Sequence, residues 1–159
     1  MTGTRSSGIL LYRWAGKTGH DLEVLIAHMG GPFWAKRDDG AWSIPKGEHG
    51  PDEDPEHAAR REFAEETGRP VPARDLVLLG DVRQRGGKVV TAWAGESDFD
   101  PDSIRPGTFT MQWPPGSGRM RVFAEIDRVA WVDLPTARHK LVGAQTEFLD
   151  RLVRILDEP

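Results

Sequence analysis

The sequence predicts an α/β or α+β sandwich in which helices cover a mixed sheet. Three observations lead there. Short apolar runs are bounded by glycine-rich turns, one polar helix near the middle is strongly capped, and an amphipathic helix lies near the C-terminal end. Ile9 to Trp14 and Leu22 to His28 are the first two runs and read as strands. Gly30 to Gly40, with Gly31, Pro32 and Asp39 among its residues, reads as a long loop before a short strand at Trp42 to Ile44. Pro55 to Thr67 is the clearest helix: Asp54 can cap it, Pro55 suits its first position, and Gly68 with Pro70 supplies the stop. Leu76 to Val82 and Lys88 to Trp93 form a strand pair around Gly86-Gly87, and the polar stretch from Glu96 to Gly107 reads as a surface loop. Phe109 to Trp113 and Val129 to Val132 are further strands. Two helices follow, Pro135 to Val142 and Ala144 to Leu156, the second carrying Phe148, Leu149, Leu152 and Ile155 at core spacing.

Composition narrows the function classes. At 159 residues the expectation is one domain, residues 1–159, with room for a single sizeable core. Apolar runs such as Val24 to Ala27 are too short to span a bilayer, so no membrane partner is expected. The first seven residues lack the apolar region of a secretory signal, and a cytoplasmic location is the expectation. With no cysteine, any metal would be held by oxygen or imidazole. Net charge is −4 and no basic stripe is visible, which disfavours long nucleic acid as a partner. A small phosphate-bearing ligand needs only a few local cations and stays open. So does the choice between monomer and homodimer.

The chemistry concentrates on the Pro55 helix. Glu62, Glu65 and Glu66 stand at i, i+3 and i+4, which puts three carboxylates on one arc of the surface. They repel one another unless a cation sits among them, and a hard divalent ion suits such an oxygen-rich arc. Ala59 and Phe63 lie to one side and would seat the helix on the core. Taken alone, the arc also describes a solvated acidic face, partly neutralised by Arg61.

The wider spacing is far more specific. It reads Gly47-x5-Glu53-x7-Arg61-Glu62-Phe63-x-Glu65-Glu66-x-Gly68, and it resembles the signature box of the Nudix hydrolases at each of these positions. At average usage of roughly 6% per residue type, seven fixed positions coincide by chance about once in several 10⁸ starts. One position departs from the family pattern: an aliphatic residue usually follows the closing glycine, and here it is Arg69. The strand and helix order on both sides also suits a Nudix-type α/β/α sandwich.

That resemblance implies a Mg²⁺- or Mn²⁺-dependent hydrolase of a phosphoanhydride bond in a small nucleotide-like substrate. It implies Glu62, Glu65, Glu66 and the Gly47 carbonyl as metal ligands, and an Arg61–Glu53 pair bracing the loop against the helix. The base that takes a proton from water would be Glu62 or a glutamate of a later loop, with Glu125 the first candidate there and Glu96 the second. Pro45-Lys46-Gly47 resembles the entry found in hydrolases of dinucleoside polyphosphates, where the lysine contacts phosphate, and also in relatives that clear oxidised nucleoside triphosphates. Lys36 and Arg37 are further candidate phosphate contacts. Trp34, Trp93 and Trp113 fall in or beside loops where a base could stack. The positions where some relatives carry a substrate-marking Tyr or Pro hold Arg85 and Gln84. The first expectation is therefore a dinucleoside polyphosphate or related substrate, and the second a modified nucleoside triphosphate such as oxidised dGTP. A nucleotide-sensing domain that does not cut is a third reading, disfavoured because no box glutamate is lost.

Overall fold

Two apolar faces along the first two runs decide the architecture. In the computed structural model, which describes residues 5–157 apart from Thr18 and His20, β1 (Arg5–Ala15) and β2 (Asp21–Met29) pair antiparallel at the centre of a seven-stranded sheet. The residues of β1 alternate between layers, so Ile9 and Leu11 face one core and Leu10 the other. A strand apolar on both faces must be covered on both, which makes a three-layer sandwich.

β3 (Trp42–Ser43) and β4 (Lys46–Glu48) follow the long loop, then α1 (Pro55–Thr67), β5 (Val77–Arg83) and β6 (Val89–Glu96). The sheet runs β3-β2-β1-β6-β5. Within it β1 and β6 are parallel, and β4 also pairs with β1. β9 (Ile126–Asp133) pairs with β2. α1 packs on one face through Ala59 and Phe63, beside Ile9, Leu11, Leu25 and Trp93. On the other face α2 (Leu134–Lys140) and α3 (Thr146–Asp157) bury Ala137, Phe148, Leu149 and Leu152 against Leu10, Val24 and Ile26. Ile155 packs on this second core half-buried.

The structure corrects the sequence expectation in two places. β4 was not expected, because three residues of mixed polarity carry no period. The segment after Gly107 is a hairpin, β7 (Thr108–Gln112) with β8 (Met120–Ala124), forming a separate two-stranded sheet. Trp93, a candidate for stacking on a base, is 8% exposed and belongs to the core beside α1. Among the described residues no helix is long and apolar enough to cross a membrane.

Candidate active site

Helix α1 is fixed at both ends by its own sequence. Asp54 accepts a hydrogen bond from the His57 amide at 3.0 Å, and Pro55 opens the first turn. Gly68 closes the helix at φ 73°, a left-handed cap. Beyond it, Arg69 does not pack as an aliphatic residue would. Its Nε donates to the Ser103 carbonyl at 2.8 Å, so the exit is clasped by a polar contact. With Ala58, Ala59 and Phe63 buried, the glutamates face away from the core seat at three depths. Glu62 is buried, Glu66 half-buried and Glu65 exposed.

Strand β4 brings the other half of the site to this helix. A Cβ at Gly47 would fall 1.8 Å from Glu62 Oε2, so only glycine lets the carboxylate lie against the strand. One residue earlier, the Lys46 amide donates to Glu66 Oε2 at 3.2 Å. Arg61 forks onto Glu53, Nε to Oε2 at 2.7 Å and Nη2 to Oε1 at 2.8 Å. Its Nη1 donates to Glu62 at 2.7 Å and to Glu65 at 3.1 Å. One guanidinium thus joins the loop to the carboxylate arc.

Electrostatics follow from burial. The hydrogen bonds of Arg61 hold the Glu53 carboxyl below its ordinary range, and the same bonds raise Arg61. Burial pushes Glu62 up against the pull of Arg61. Glu66 is pushed up to about 8 by burial, which the Lys46 amide and ammonium only partly offset and to which Glu125 and Glu62 add a smaller repulsion. Burial also raises Glu125, helped by Glu65. Lys46 is lowered by burial and by Lys88, against the attraction of Glu66, Glu48 and Glu62. The carboxylates therefore carry more desolvation than their cationic neighbours relieve.

That imbalance is what a divalent cation would relieve, and an all-oxygen donor set suits Mg²⁺ or Mn²⁺. Among the described residues no three His, Cys, Asp or Glu side chains are drawn into a ready cage. Glu62 and Glu65 turn toward Arg61 instead. The residues fit such an ion in chemistry, since Arg61 reaches only Oε1 of Glu62 and leaves Oε2 free to ligate.

Beside Glu66 lies a cleft of about 210 Å³, lined by Met29, Gly30, Trp34, Ser43, Lys46, Glu66, Glu125 and Ile126. Glu125 reaches it from the junction of β8 and β9, where its amide donates to the Gly107 carbonyl at 2.9 Å. Its carbonyl accepts from the Gly30 amide at 3.0 Å. A Cβ at Gly30 would fall 2.0 Å from the Ala124 carbonyl, so this approach too requires glycine. Glu96, the second candidate base, is the last residue of β6, beside Tyr12 rather than the cleft. Lys36 and Arg37 are exposed on the turn and do not line the cleft; the Arg37 guanidinium lies 5.7 Å from the Trp34 ring centroid. Trp113 packs edge-on against Phe33 at 5.3 Å. A larger depression of about 550 Å³, lined by Asp21 to Glu23 and Asp133 to Pro135, contains none of the box residues.

Met29, Ser43 and Ile126 were missed from sequence. Each is an ordinary strand residue, and only the packing of β2, β3 and β9 puts it on the cleft wall. The signal that could have found Gly30 is its place directly before Gly31-Pro32.

A glycine-gated acidic helix on an α/β/α sandwich defines the Nudix class of pyrophosphohydrolase. The NUDIX domain model matches residues 4–152, and the chain belongs to that family. The NUDIX domain of Shewanella oneidensis NrtR, solved with ADP-ribose, superposes with a TM-score of 0.66 at 16% identity, covering 98% of this chain and 90% of that one. An Ap4A hydrolase of C. elegans in a binary complex gives 0.64 at 21% identity, over 96% and 97% of the two chains. At these identities the likeness is one of fold. An octanoyltransferase of Myxococcus xanthus is 35% identical over 102 residues, 64% of this chain. The match spans only 25% of that protein's length.

Proposed function

We propose that this chain hydrolyses a phosphoanhydride bond in a nucleotide-linked small molecule with Mg²⁺ or Mn²⁺, a dinucleoside polyphosphate being the favoured substrate. The observation that carries the reading is the convergence of Lys46 and Gly47 on Glu66 and Glu62. It sets a cation and a glycine-gated strand against two carboxylates, with Lys46 and Glu66 on the cleft wall and Glu62 beside Gly47. When bound, the ion neutralises phosphate charge and makes a water nucleophilic near neutral pH. Glu62, Glu65 and Glu66 would hold it, with the Gly47 carbonyl beside them. Glu125, raised by burial and facing the same cleft, is suited to take a proton from the attacking water. Among the described residues Lys46 forms no ion pair within 4.0 Å, and its ammonium is available to a substrate phosphate. The NrtR domain solved with ADP-ribose and the Ap4A hydrolase are consistent with a nucleotide-linked substrate for this fold.

A phosphate-release screen over dinucleoside polyphosphates, nucleoside triphosphates and nucleotide sugars with Mg²⁺ tests the reading. Catalytic efficiency should rise from two bridging phosphates to four. Lys46→Ala should erase most of that gain, a loss of about 1.5–3 kcal/mol, as for a hydrogen bond to a charged group. An equal loss on every substrate would make Lys46 a general electrostatic residue. Preference for nucleoside triphosphates over all dinucleotides would select the second expectation, and full activity in excess EDTA would sink the metal role.

A further inference from the structure

His28 lies at the end of β2 and is fully buried, yet every polar partner of its ring is an acceptor. Nδ1 stands 3.0 and 2.9 Å from the two carboxylate oxygens of Asp127, and Nε2 stands 2.7 Å from the Arg37 carbonyl. A backbone carbonyl has no proton to give. Nε2 therefore carries the proton of that contact, and Asp127, partly exposed and accepting from Arg128 at 3.1 Å, closes the other side of the ring.

The backbone is shaped for this contact. The β2–β9 register steps from His28↔Arg128 to Met29↔Ile126, which leaves Asp127 as the extra residue of a bulge. Such a bulge re-aims a side chain that a regular strand would send to the other face. The other groups near the ring come from β3, β9 and α2. Trp42 meets it edge-on at 5.1 Å. Arg128 and Lys140 lie 5.0 and 5.3 Å from the Trp42 ring, and Lys140 is paired to Asp38 at 2.7 Å.

We propose that His28 is a positioning residue: through contacts of both ring nitrogens, it fastens the turn that carries Trp34 to the strand leading from Glu125. The structural reason is adjacency. Arg37 closes the turn through its amide on the Trp34 carbonyl at 2.9 Å, and Met29, Gly30, Glu125 and Ile126, next to the clamp in sequence, line the cleft. The role in turnover rests on the proposed function. The clamp itself does not.

The test has a substrate-free arm and a kinetic arm. Nitrogen NMR of the wild-type protein should show Nε2 of His28 protonated, as its contact with the Arg37 carbonyl requires; an unprotonated Nε2 overturns the clamp. In folded His28→Gln, the Arg37 amide should exchange faster, and KM should rise about tenfold, as for a lost buried hydrogen bond, with kcat within roughly twofold. Wild-type exchange overturns the clamp, and wild-type KM overturns its role in turnover. A protein that cleaves no nucleotide would refute the proposed function, and the nitrogen spectrum and the exchange rate would still decide the clamp.

Discussion

The two walls of the cleft are built on different principles. On the helix side, the contacts that matter are short in sequence: Arg61 reaches Glu53, Glu62 and Glu65, and Asp54 caps the helix these residues share. On the opposite side, Met29 and Trp34 meet Glu125 and Ile126 across about a hundred residues of chain, through β2, β9 and a bulge. The first wall carries a charged network, and the second carries apolar surface beside the single carboxylate of Glu125. Chemistry should therefore respond to changes in the first wall and at Glu125, and substrate affinity to changes in the apolar part of the second.

The sharpest break of that comparison comes from the buried carboxylate. Glu66→Gln should fold, since the amide removes a desolvated charge, yet lose on the order of 10²–10³ in kcat, the cost of losing a group that organises transition-state charge. Thermal unfolding checks the metal part. Saturating Mg²⁺ should raise the wild-type melting temperature by linkage, about 2.7 kcal/mol at a hundredfold excess over Kd, and should raise that of the variant much less. A shift of equal size in both would remove Glu66 from the ion.

Gly47→Ala comes next. Its Cβ would meet Glu62 Oε2 at 1.8 Å, so either the carboxylate or β4 must move. Overpacking of this kind costs about 1–3 kcal/mol, read as a lower urea midpoint, with kcat falling alongside it. Arg61→Ala should cost about 1–2 kcal/mol, at the low end for charged hydrogen bonds because the guanidinium side chain is a third exposed. Stability within about 0.5 kcal/mol of wild type would show that Arg61 braces nothing.

The smallest effect is expected behind the second wall, on the turn just before Trp34. Phe33 is 58% exposed and meets Trp113 edge-on, a contact whose loss costs about 1 kcal/mol at most at such a site. Phe33→Ala should therefore leave kcat and the urea midpoint nearly unchanged and act, if anywhere, on KM. A fall in kcat with unchanged KM would contradict the division between the walls.

Legibility in the sequence divides along the same line. The helix limits at Pro55 and Thr67 and the Asp54 cap were readable, because helical period and capping are local rules; the Arg61–Glu53 pair came from the family resemblance. Glu125 was named only through family resemblance; nothing local marks it, since its place in the cleft depends on the Gly30 and Gly107 backbones closing around it. Trp93 could be read as core or as a stacking surface, because a tryptophan near a turn looks the same whether its strand is central or at an edge. β6 lies between β1 and β5, and that position buries it.

What the sequence determined by itself was the carboxylate arc, its cap and its glycine stop, because each depends on φ/ψ preference and spacing within a few turns of chain. The sandwich also followed, since a first strand apolar on both faces must be covered on both. Only the tertiary structure decided which face of β4 meets Glu62, why Gly47 and Gly30 can carry no side chain there, and how a bulge in β9 turns Asp127 onto His28. These are contacts between segments far apart in sequence, where sub-ångström packing distances decide, and residue order carries no record of such distances.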